Sequence, residues 1–111
     1  MCYDVPMSPT DDPVMKRFRA DLAKAYGERL DRVVLFGSRA RGDFRPDSDY
    51  DVAVFLKTSR GLDPELRTIV DIGVEILFDS GAVINALPFE SQAFASPSAF
   101  METVRRDGVD L

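Results

Sequence analysis

Two aspartates separated by one residue, Asp49 and Asp51, precede an apolar run at residues 52–56. If this run is a buried strand that begins near residue 49, both carboxylates lie on one face, because side chains alternate along a strand. The two like charges repel each other unless a cation lies between them. Mg²⁺ is commonly held by one or two carboxylates together with substrate phosphates. This acidic pair, Asp49 and Asp51, therefore predicts a magnesium site, and with a second ion it could support an in-line displacement at phosphorus.

A glycine and a serine, Gly37 and Ser38, follow an earlier apolar run at residues 33–36. A glycine directly after a buried strand permits a tight turn and a close approach of the backbone to a ligand. Ser38 adds a hydroxyl and a backbone N–H at a predicted helix start, which is a favourable place for phosphate. Arg39 and Arg41 follow, and each either contacts phosphate or faces solvent. The segment predicts a nucleotide-binding turn with Gly37, Ser38 and Arg39 as candidate residues.

Each half of this pattern also has a purely structural explanation. An Asp-x-Asp before a strand most often caps a turn, and Gly-Ser after a strand is usually only a turn. The joint pattern is more specific, because it combines an apolar strand, Gly-Ser, ten residues, Asp-x-Asp and a second apolar strand. The combination therefore favours a functional site over two unrelated turns.

Composition narrows the chemistry that this site can perform. The chain contains no histidine, so the commonest general base and the commonest zinc ligand are absent. Any metal should therefore be a hard cation held by oxygen ligands. The single cysteine, Cys2, excludes an internal disulfide and favours a reduced, cytoplasmic setting.

Charge and hydropathy exclude other classes of function. The net charge of -5 argues against general binding of nucleic acid through its phosphate backbone. No apolar run approaches the roughly 20 residues of a membrane span, and the N-terminus lacks the pattern of a signal peptide. The oligomeric state stays open at this level.

Helix and strand patterns alternate along the chain. With 111 residues, the sequence predicts one α/β (α+β) domain over residues 12–111, preceded by a loose arm at residues 1–11. An Asp-Pro pair predicts the start of two helices, since aspartate is a good N-cap and proline suits the first turn. The predicted elements are a helix from Asp12-Pro13, a strand at 33–36, a short helix within 38–43, a turn at 43–48, a strand at 52–56, a helix from Asp63-Pro64, a strand at 82–87 stopped by Pro88, and a helix from Ser96-Pro97.

The spacing of Gly37-Ser38 and Asp49-x-Asp51 resembles the signature of the DNA polymerase β-like nucleotidyltransferase superfamily. The string Gly-Ser-Arg-Ala-Arg-Gly…Ser-Asp-Tyr-Asp is most similar to minimal nucleotidyltransferases (MNT proteins), usually encoded beside a HEPN-domain partner as a toxin–antitoxin pair. The resemblance implies a nucleotidyltransferase fold, with a small mixed sheet of three or more strands flanked by helices. It implies an antitoxin that transfers AMP from ATP to a tyrosine of a HEPN RNase toxin. By position, Gly37 and Ser38 would contact the triphosphate, while the acidic pair would bind Mg²⁺ and be catalytic.

The sequence departs from this family at the third core strand. The family usually has a third carboxylate there, which helps to bind the metal and to deprotonate the attacking hydroxyl. In residues 82–87 the only polar side chain is Asn85, which offers a carbonyl oxygen but no charge and no basic atom. If the register of the strand differs, Glu75 or Glu90 would be the remaining candidates.

Two functions follow from this departure. The protein is either a slow transferase that relies on positioning and metal electrostatics, or a non-catalytic antitoxin that neutralises a HEPN toxin by direct binding. Residues 47–111 carry five Lys/Arg and twelve Asp/Glu, and this acidic part suits a basic partner in both cases. Transfer to a small molecule such as an aminoglycoside is disfavoured, because 111 residues leave no room for an extra helical domain.

Overall fold

The structure, a computed structural model, describes residues 8–111. Residues 1–7 of the predicted arm lie outside this range, and Pro9–Asp11 forms a 3₁₀ turn. Among the described residues, no helix is both long and apolar enough to cross a membrane. The regular elements are α1 (Pro13–Tyr26), β1 (Leu30–Phe36), α2 (Ser38–Arg41), β2 (Tyr50–Leu56), α3 (Leu62–Ser80), β3 (Ile84–Glu90), α4 (Ala99–Asp107) and β4 (Val109–Asp110), with further 3₁₀ turns at Gly27–Arg29 and Ser91–Ala95.

The four strands form one mixed sheet in the order β3-β2-β1-β4. β1 runs antiparallel to β2 and β4, whereas β2 and β3 are parallel and are joined by α3. Helices pack on both faces of the sheet, which confirms the predicted α/β class and the small mixed sheet flanked by helices. The short strand β4 was not predicted from the sequence, because two residues carry no periodic signal.

Alternation along β2 divides the core between the two faces of the sheet. Val52 and Val54 pack with α1 and α3, whereas Ala53 and Phe55 pack with α4. The side of α4 is called the second face here. Asp51 has the same parity as Ala53, so its carboxylate belongs to the second face, at the end of the sheet where β1 leads into α2.

The start of α1 follows the predicted capping chemistry. The Asp12 carboxylate accepts a hydrogen bond of 2.8 Å from the Val14 backbone N–H, and Pro13 occupies the first helical position. The sequence predicts an apolar stripe at every fourth residue from Val14 to Tyr26; three of its four residues are buried, and Val14 is only partly buried. The buried positions of α1 are Met15, Phe18, Leu22 and Tyr26.

Two predicted helix starts are wrong by a few residues. α3 begins at Leu62 with Gly61 as its N-cap, so Asp63 lies inside the first turn, where its charge still favours the positive end of the helix. α4 begins at Ala99, and the hydroxyl of Ser98 accepts a hydrogen bond from Met101 N–H. α3 therefore begins without a side-chain cap, whereas α4 is capped by a serine two residues after the predicted one.

The prediction that Pro88 stops the third strand is also wrong. β3 continues to Glu90, and Pro88 pairs with Val54 of β2. β3 is an edge strand with β2 as its partner on one side, so a residue without a backbone N–H is tolerated there.

Candidate functional site

Strand pairing brings the two predicted motifs together. Phe36, the last residue of β1, pairs with Asp51 of β2, so the turn at Gly37 begins directly beside the acidic pair. On the other side, Asp51 pairs with Asn85 of β3. Phe36, Asp51 and Asn85 therefore form one row across three strands, and their side chains share the second face.

Gly37 lies against the carboxylate of Asp51. Its φ of +75° and ψ of -159° belong to a region that is essentially restricted to glycine. A Cβ atom at this position would overlap Oδ2 of Asp51. The Gly37 carbonyl also accepts hydrogen bonds of 3.1 Å from the N–H groups of Ala40 and Arg41, which starts α2. Glycine is therefore required here for both its conformation and its lack of a side chain.

Ser38 is the first residue of α2, where backbone N–H groups lack partners within the helix. Ser38 directly follows Gly37 at the turn beside Asp51, and its predicted contact with phosphate stays a prediction. At the other end of α2, Arg41 forms ion pairs with Asp43 at 3.3 Å and with Asp107 at 3.7 Å. Arg41 therefore forms ion pairs within the protein, and its predicted contact with phosphate stays a prediction.

Arg39 hydrogen bonds the loop at residues 42–48, which leads to the acidic pair. Its Nε and Nη2 donate hydrogen bonds of 3.1 and 2.9 Å to the Ser48 carbonyl, and Nη2 also donates to the Pro46 carbonyl at 3.0 Å. The guanidinium lies over the rings of Tyr50 and Phe44, with Cζ 4.2 and 4.5 Å from their centroids. These contacts give Arg39 a positioning role, and its predicted role in nucleotide binding stays a prediction.

Burial and the charge of Asp49 both act against ionisation of Asp51. Burial raises the pKa of Asp51, and the neighbouring charge of Asp49 raises it further, while Asn85 and Arg41 act in the opposite direction. Asn85 Nδ2 donates a hydrogen bond of 3.0 Å to Oδ2 of Asp49. The site thus disfavours two negative charges unless a positive group is added.

The residues present fit Mg²⁺. Within residues 8–111, no group of three or more acidic, histidine or cysteine side chains could hold a metal, so the protein would supply two carboxylates. Magnesium sites that use substrate phosphates commonly contain one or two protein carboxylates and several waters. A cation would also relieve the repulsion that raises the pKa of Asp51.

The register of β3 sets Asn85 directly beside Asp51, and it keeps the two alternative glutamates away from this row. Glu90 pairs with Leu56 at the far end of the strand, roughly 16 Å from Asn85 at about 3.3 Å per residue. Glu75 belongs to α3, which packs on the opposite face of the sheet. Neither glutamate therefore reaches the row of Asp51.

A cavity of about 580 Å³ lies on the α1 side of the same strands, and it was not identified from the sequence. Tyr50, the residue between the two aspartates, turns to this side and donates a hydrogen bond of 2.8 Å to Oδ2 of Asp12. Burial, followed by the contact with Asp12, raises the pKa of Tyr50 to about 12. The alternation of the Asp-Tyr-Asp triplet was the one feature of the sequence that could have indicated that Tyr50 faces this side of the sheet. The cavity is lined by Ser8, Pro9, Asp12, Leu35, Arg39, Ala40, Gly42, Phe44 and Tyr50.

Comparison with solved structures shows related folds. A structure described as a "putative minimal nucleotidyltransferase" is 25% identical, with a TM-score of 0.58, over 86% of this chain and 90% of that chain. A toxin–antitoxin structure with AMP-PNP is 20% identical, with a TM-score of 0.58, over 84% of this chain and 68% of that chain. The second similarity concerns the fold alone.

Comparison of sequences identifies the family. Two Methanocaldococcus jannaschii proteins, each named "Putative protein adenylyltransferase", are similar to this chain. One is 31% identical over 98 residues, which cover 88% of this chain and 95% of that protein. The other is 30% identical over 84 residues, which cover 76% and 78%. The nucleotidyltransferase domain model matches residues 15–102, a segment that contains the Gly37-Ser38 turn, the acidic pair and Asn85. The chain therefore belongs to the nucleotidyltransferase domain family.

Proposed function

We propose that this protein is an antitoxin-type minimal nucleotidyltransferase that transfers AMP from ATP to a tyrosine of a HEPN RNase toxin. One observation carries the proposal: β1 and β2 hold the Gly37 turn against the carboxylate of Asp51, in one row with Asn85. The names of the two relatives, protein adenylyltransferases, support AMP transfer to a protein. The toxin–antitoxin structure with AMP-PNP supports a toxin as partner and an adenine nucleotide as ligand.

The chain supplies most of the groups that this reaction needs. Gly37 and Ser38 bind the phosphates that leave, because the turn offers backbone N–H groups and a hydroxyl. Asp49 and Asp51 hold Mg²⁺, which when bound neutralises the phosphate charge and stabilises the developing charge on oxygen. Arg39 keeps the loop at residues 42–48 closed, so that the acidic pair stays beside the turn.

The proposed reaction exchanges one bond to phosphorus for another. The tyrosine oxygen forms a bond to the α-phosphorus, the bond from that phosphorus to the bridging oxygen breaks, and pyrophosphate leaves. The phenolic proton passes to solvent, since Asn85 has no basic atom to accept it. The rate therefore depends on positioning and electrostatics, which dominate phosphoryl transfer in general.

Asn85 favours a second candidate function, in which the protein neutralises the toxin by contact alone. Asn85 lies in the row of Asp51 and hydrogen bonds Asp49, whereas the family resemblance implies a carboxylate on this strand. A site without this charge could retain the fold and the partner surface while losing catalysis. Neutralisation by contact requires a stable complex with the toxin, and only the transferase function predicts a covalent product.

Intact-mass spectrometry of the partner separates the two functions. The purified protein is incubated with Mg²⁺, ATP and the HEPN-type product of the neighbouring gene. A gain of one or more AMP units on the partner, absent with the Asp49→Asn/Asp51→Asn variant, would establish the transferase. An unmodified partner whose RNase activity is nevertheless blocked in a tight complex would establish the non-catalytic antitoxin.

We expect the substitution Asn85→Asp to raise the rate of AMP transfer at least about tenfold, since a positioned general base contributes up to 10²–10⁴-fold. The new carboxylate would lie beside Asp49 and Asp51, where it could accept the phenolic proton. The rate is measured from the partner's mass at timed intervals.

The matched control is Asn85→Leu, which removes both polar atoms without adding charge. This control should not exceed the wild-type rate. An Asn85→Asp variant that is no faster than wild type would show that the site lacks more than this acid.

A further inference from the structure

An exposed apolar surface adjoins the candidate site on the second face. It consists of Leu87, Phe89 and Phe100, and it is called the aromatic shelf here. Leu87 is 47% exposed and Phe100 is 41% exposed, although both are large apolar side chains. The shelf borders an open hollow of about 420 Å³, whose remaining lining residues are Ala93, Ser96, Ser98 and Met101. Large apolar groups exposed beside a site indicate a surface that binds another molecule.

The aromatic shelf begins one row from the acidic pair. Asn85, Leu87 and Phe89 alternate along β3, so they share the second face. The ring of Phe100 meets Phe36 edge-on at 5.4 Å, and Phe36 belongs to the row of Asp51. The shelf is thus continuous with the site on the side of β3.

The rings of the shelf are already held in place. Phe100 lies 5.6 Å from Phe89, which stacks on the fully buried Phe55 at 5.6 Å. Offset and edge-on contacts of this kind are favourable between aromatic rings. A ligand would therefore meet a pre-formed surface rather than one that must be ordered on binding.

The order of the strands indicates which reactant approaches the shelf. The Gly37 turn follows β1, Asp51 lies on β2 with Asp49 one residue before that strand, and Asn85 lies on β3. If the leaving pyrophosphate is held over β1 and the α-phosphorus over β2, an in-line attack must come from the side of β3. The attacking hydroxyl then arrives over Asn85, and the group that carries it extends over Leu87 and Phe100.

We infer that the aromatic shelf binds the ring of a phenolic acceptor, so that Leu87, Phe89 and Phe100 select a tyrosine over an aliphatic hydroxyl. The inference rests on the proposed transferase function and adds the location of its acceptor site. A serine or threonine has no ring to cover the shelf, so its hydroxyl would be held less well in line with the phosphorus. The nucleotide's adenine is the competing occupant.

Binding of small acceptor probes tests the inference without turnover. N-acetyl-tyrosinamide and N-acetyl-serinamide are compared by saturation-transfer NMR, with Mg²⁺ and the α,β-methylene analogue of ATP. This analogue has carbon in place of the bridging oxygen, so transfer does not occur. The variants are Leu87→Thr, which keeps strand propensity, and Phe100→Ala, which keeps helix propensity. Their control is Phe78→Ala, at an 83% exposed position of α3.

We expect saturation transfer to the tyrosine ring protons and much less to the serine probe. Both shelf variants should weaken binding of the tyrosine probe at least about fivefold, the size expected when an aromatic or apolar partner of a ring is lost. Phe78→Ala should leave this binding unchanged. Calorimetry should show that all three variants bind the ATP analogue as tightly as the wild-type protein does.

Three contrary results are distinguishable. Shelf variants that bind the tyrosine probe as well as wild type would overturn the inference alone. Shelf variants that lose the nucleotide analogue would show that adenine occupies the shelf, which also overturns it. A wild-type protein that does not bind the nucleotide analogue at all would instead remove the proposed transferase function.

Discussion

The double variant Asp49→Asn/Asp51→Asn is expected to lose Mg²⁺-dependent binding of ATP by at least about 100-fold, while keeping its fold. Even outer-shell partners of metal ligands typically change metal affinity or activity 10–100-fold, and these two residues are the proposed ligands themselves. Asparagine retains one carbonyl oxygen but cannot neutralise the cation. Calorimetric titration of ATP, with and without Mg²⁺, measures the loss.

Without metal, the same variant should be as stable as the wild-type protein or more stable at neutral pH. Burial and the charge of Asp49 raise the pKa of Asp51 in the folded state, so the folded protein binds protons more readily than the unfolded chain. The unfolding free energy of the wild-type protein therefore falls as the pH rises through that raised pKa. The variant does not show this fall, because asparagine does not ionise. The advantage of the variant should disappear below the unfolded pKa of aspartate.

The control is Asp47→Asn, an exposed aspartate in the loop before the acidic pair. It removes a nearby charge without removing a proposed ligand, so it should retain Mg²⁺-dependent binding. Urea unfolding at neutral and acidic pH gives the stabilities. If the double variant binds ATP with Mg²⁺ as tightly as wild type, the assignment of Asp49 and Asp51 is wrong.

Replacing Gly37 by alanine is expected to damage both the fold and the site. The backbone conformation of Gly37 costs other residues about 1–3 kcal/mol, and a Cβ atom would also overlap Oδ2 of Asp51. The carboxylate or the turn must move, and either shift separates the proposed phosphate contacts from the acidic pair. We therefore expect a loss of unfolding free energy together with much weaker binding of ATP and Mg²⁺.

Gly42 provides the matched control because it also has a positive φ, +88°, but nothing lies within 4 Å of where its Cβ would be. Gly42→Ala should therefore cost stability through conformation alone, about 1–2 kcal/mol, and should leave binding of ATP and Mg²⁺ largely intact. Chemical denaturation and calorimetry of both variants measure the two effects. Equal losses in both variants would contradict a specific role for the contact between Gly37 and Asp51.

Features that depend on neighbouring residues could be predicted from the sequence. The Asp12 cap and the buried positions Phe18, Leu22 and Tyr26 follow from capping and helical periodicity, which act within a few residues. The expectation that Asp49 and Asp51 share a face used the same local reasoning, although β2 begins at Tyr50 and Asp49 lies one residue before it. The Gly-Ser and Asp-x-Asp spacing was sufficient to indicate the family.

Features that depend on strand pairing could not be obtained in this way. The sequence predicted a third strand that stops at Pro88, but the position of β3 at the edge of the sheet allows it to pass through Pro88 to Glu90. The register that sets Asn85 beside Asp51 is likewise a property of two strands joined by a 19-residue helix. Periodicity within a segment does not specify which segment lies next to it.

The sequence by itself determined the kinds of groups available for chemistry: two carboxylates spaced two residues apart at the start of a strand, a glycine turn after a strand, and an asparagine on the third strand. Only the tertiary structure decided which residues surround these groups. Arg39 turns to the loop carbonyls and two rings, and Leu87 and Phe100 form a shelf beside the site. These contacts join residues from separate elements, because a side chain's partners are set by the packing of strands and helices and not by its neighbours in the chain.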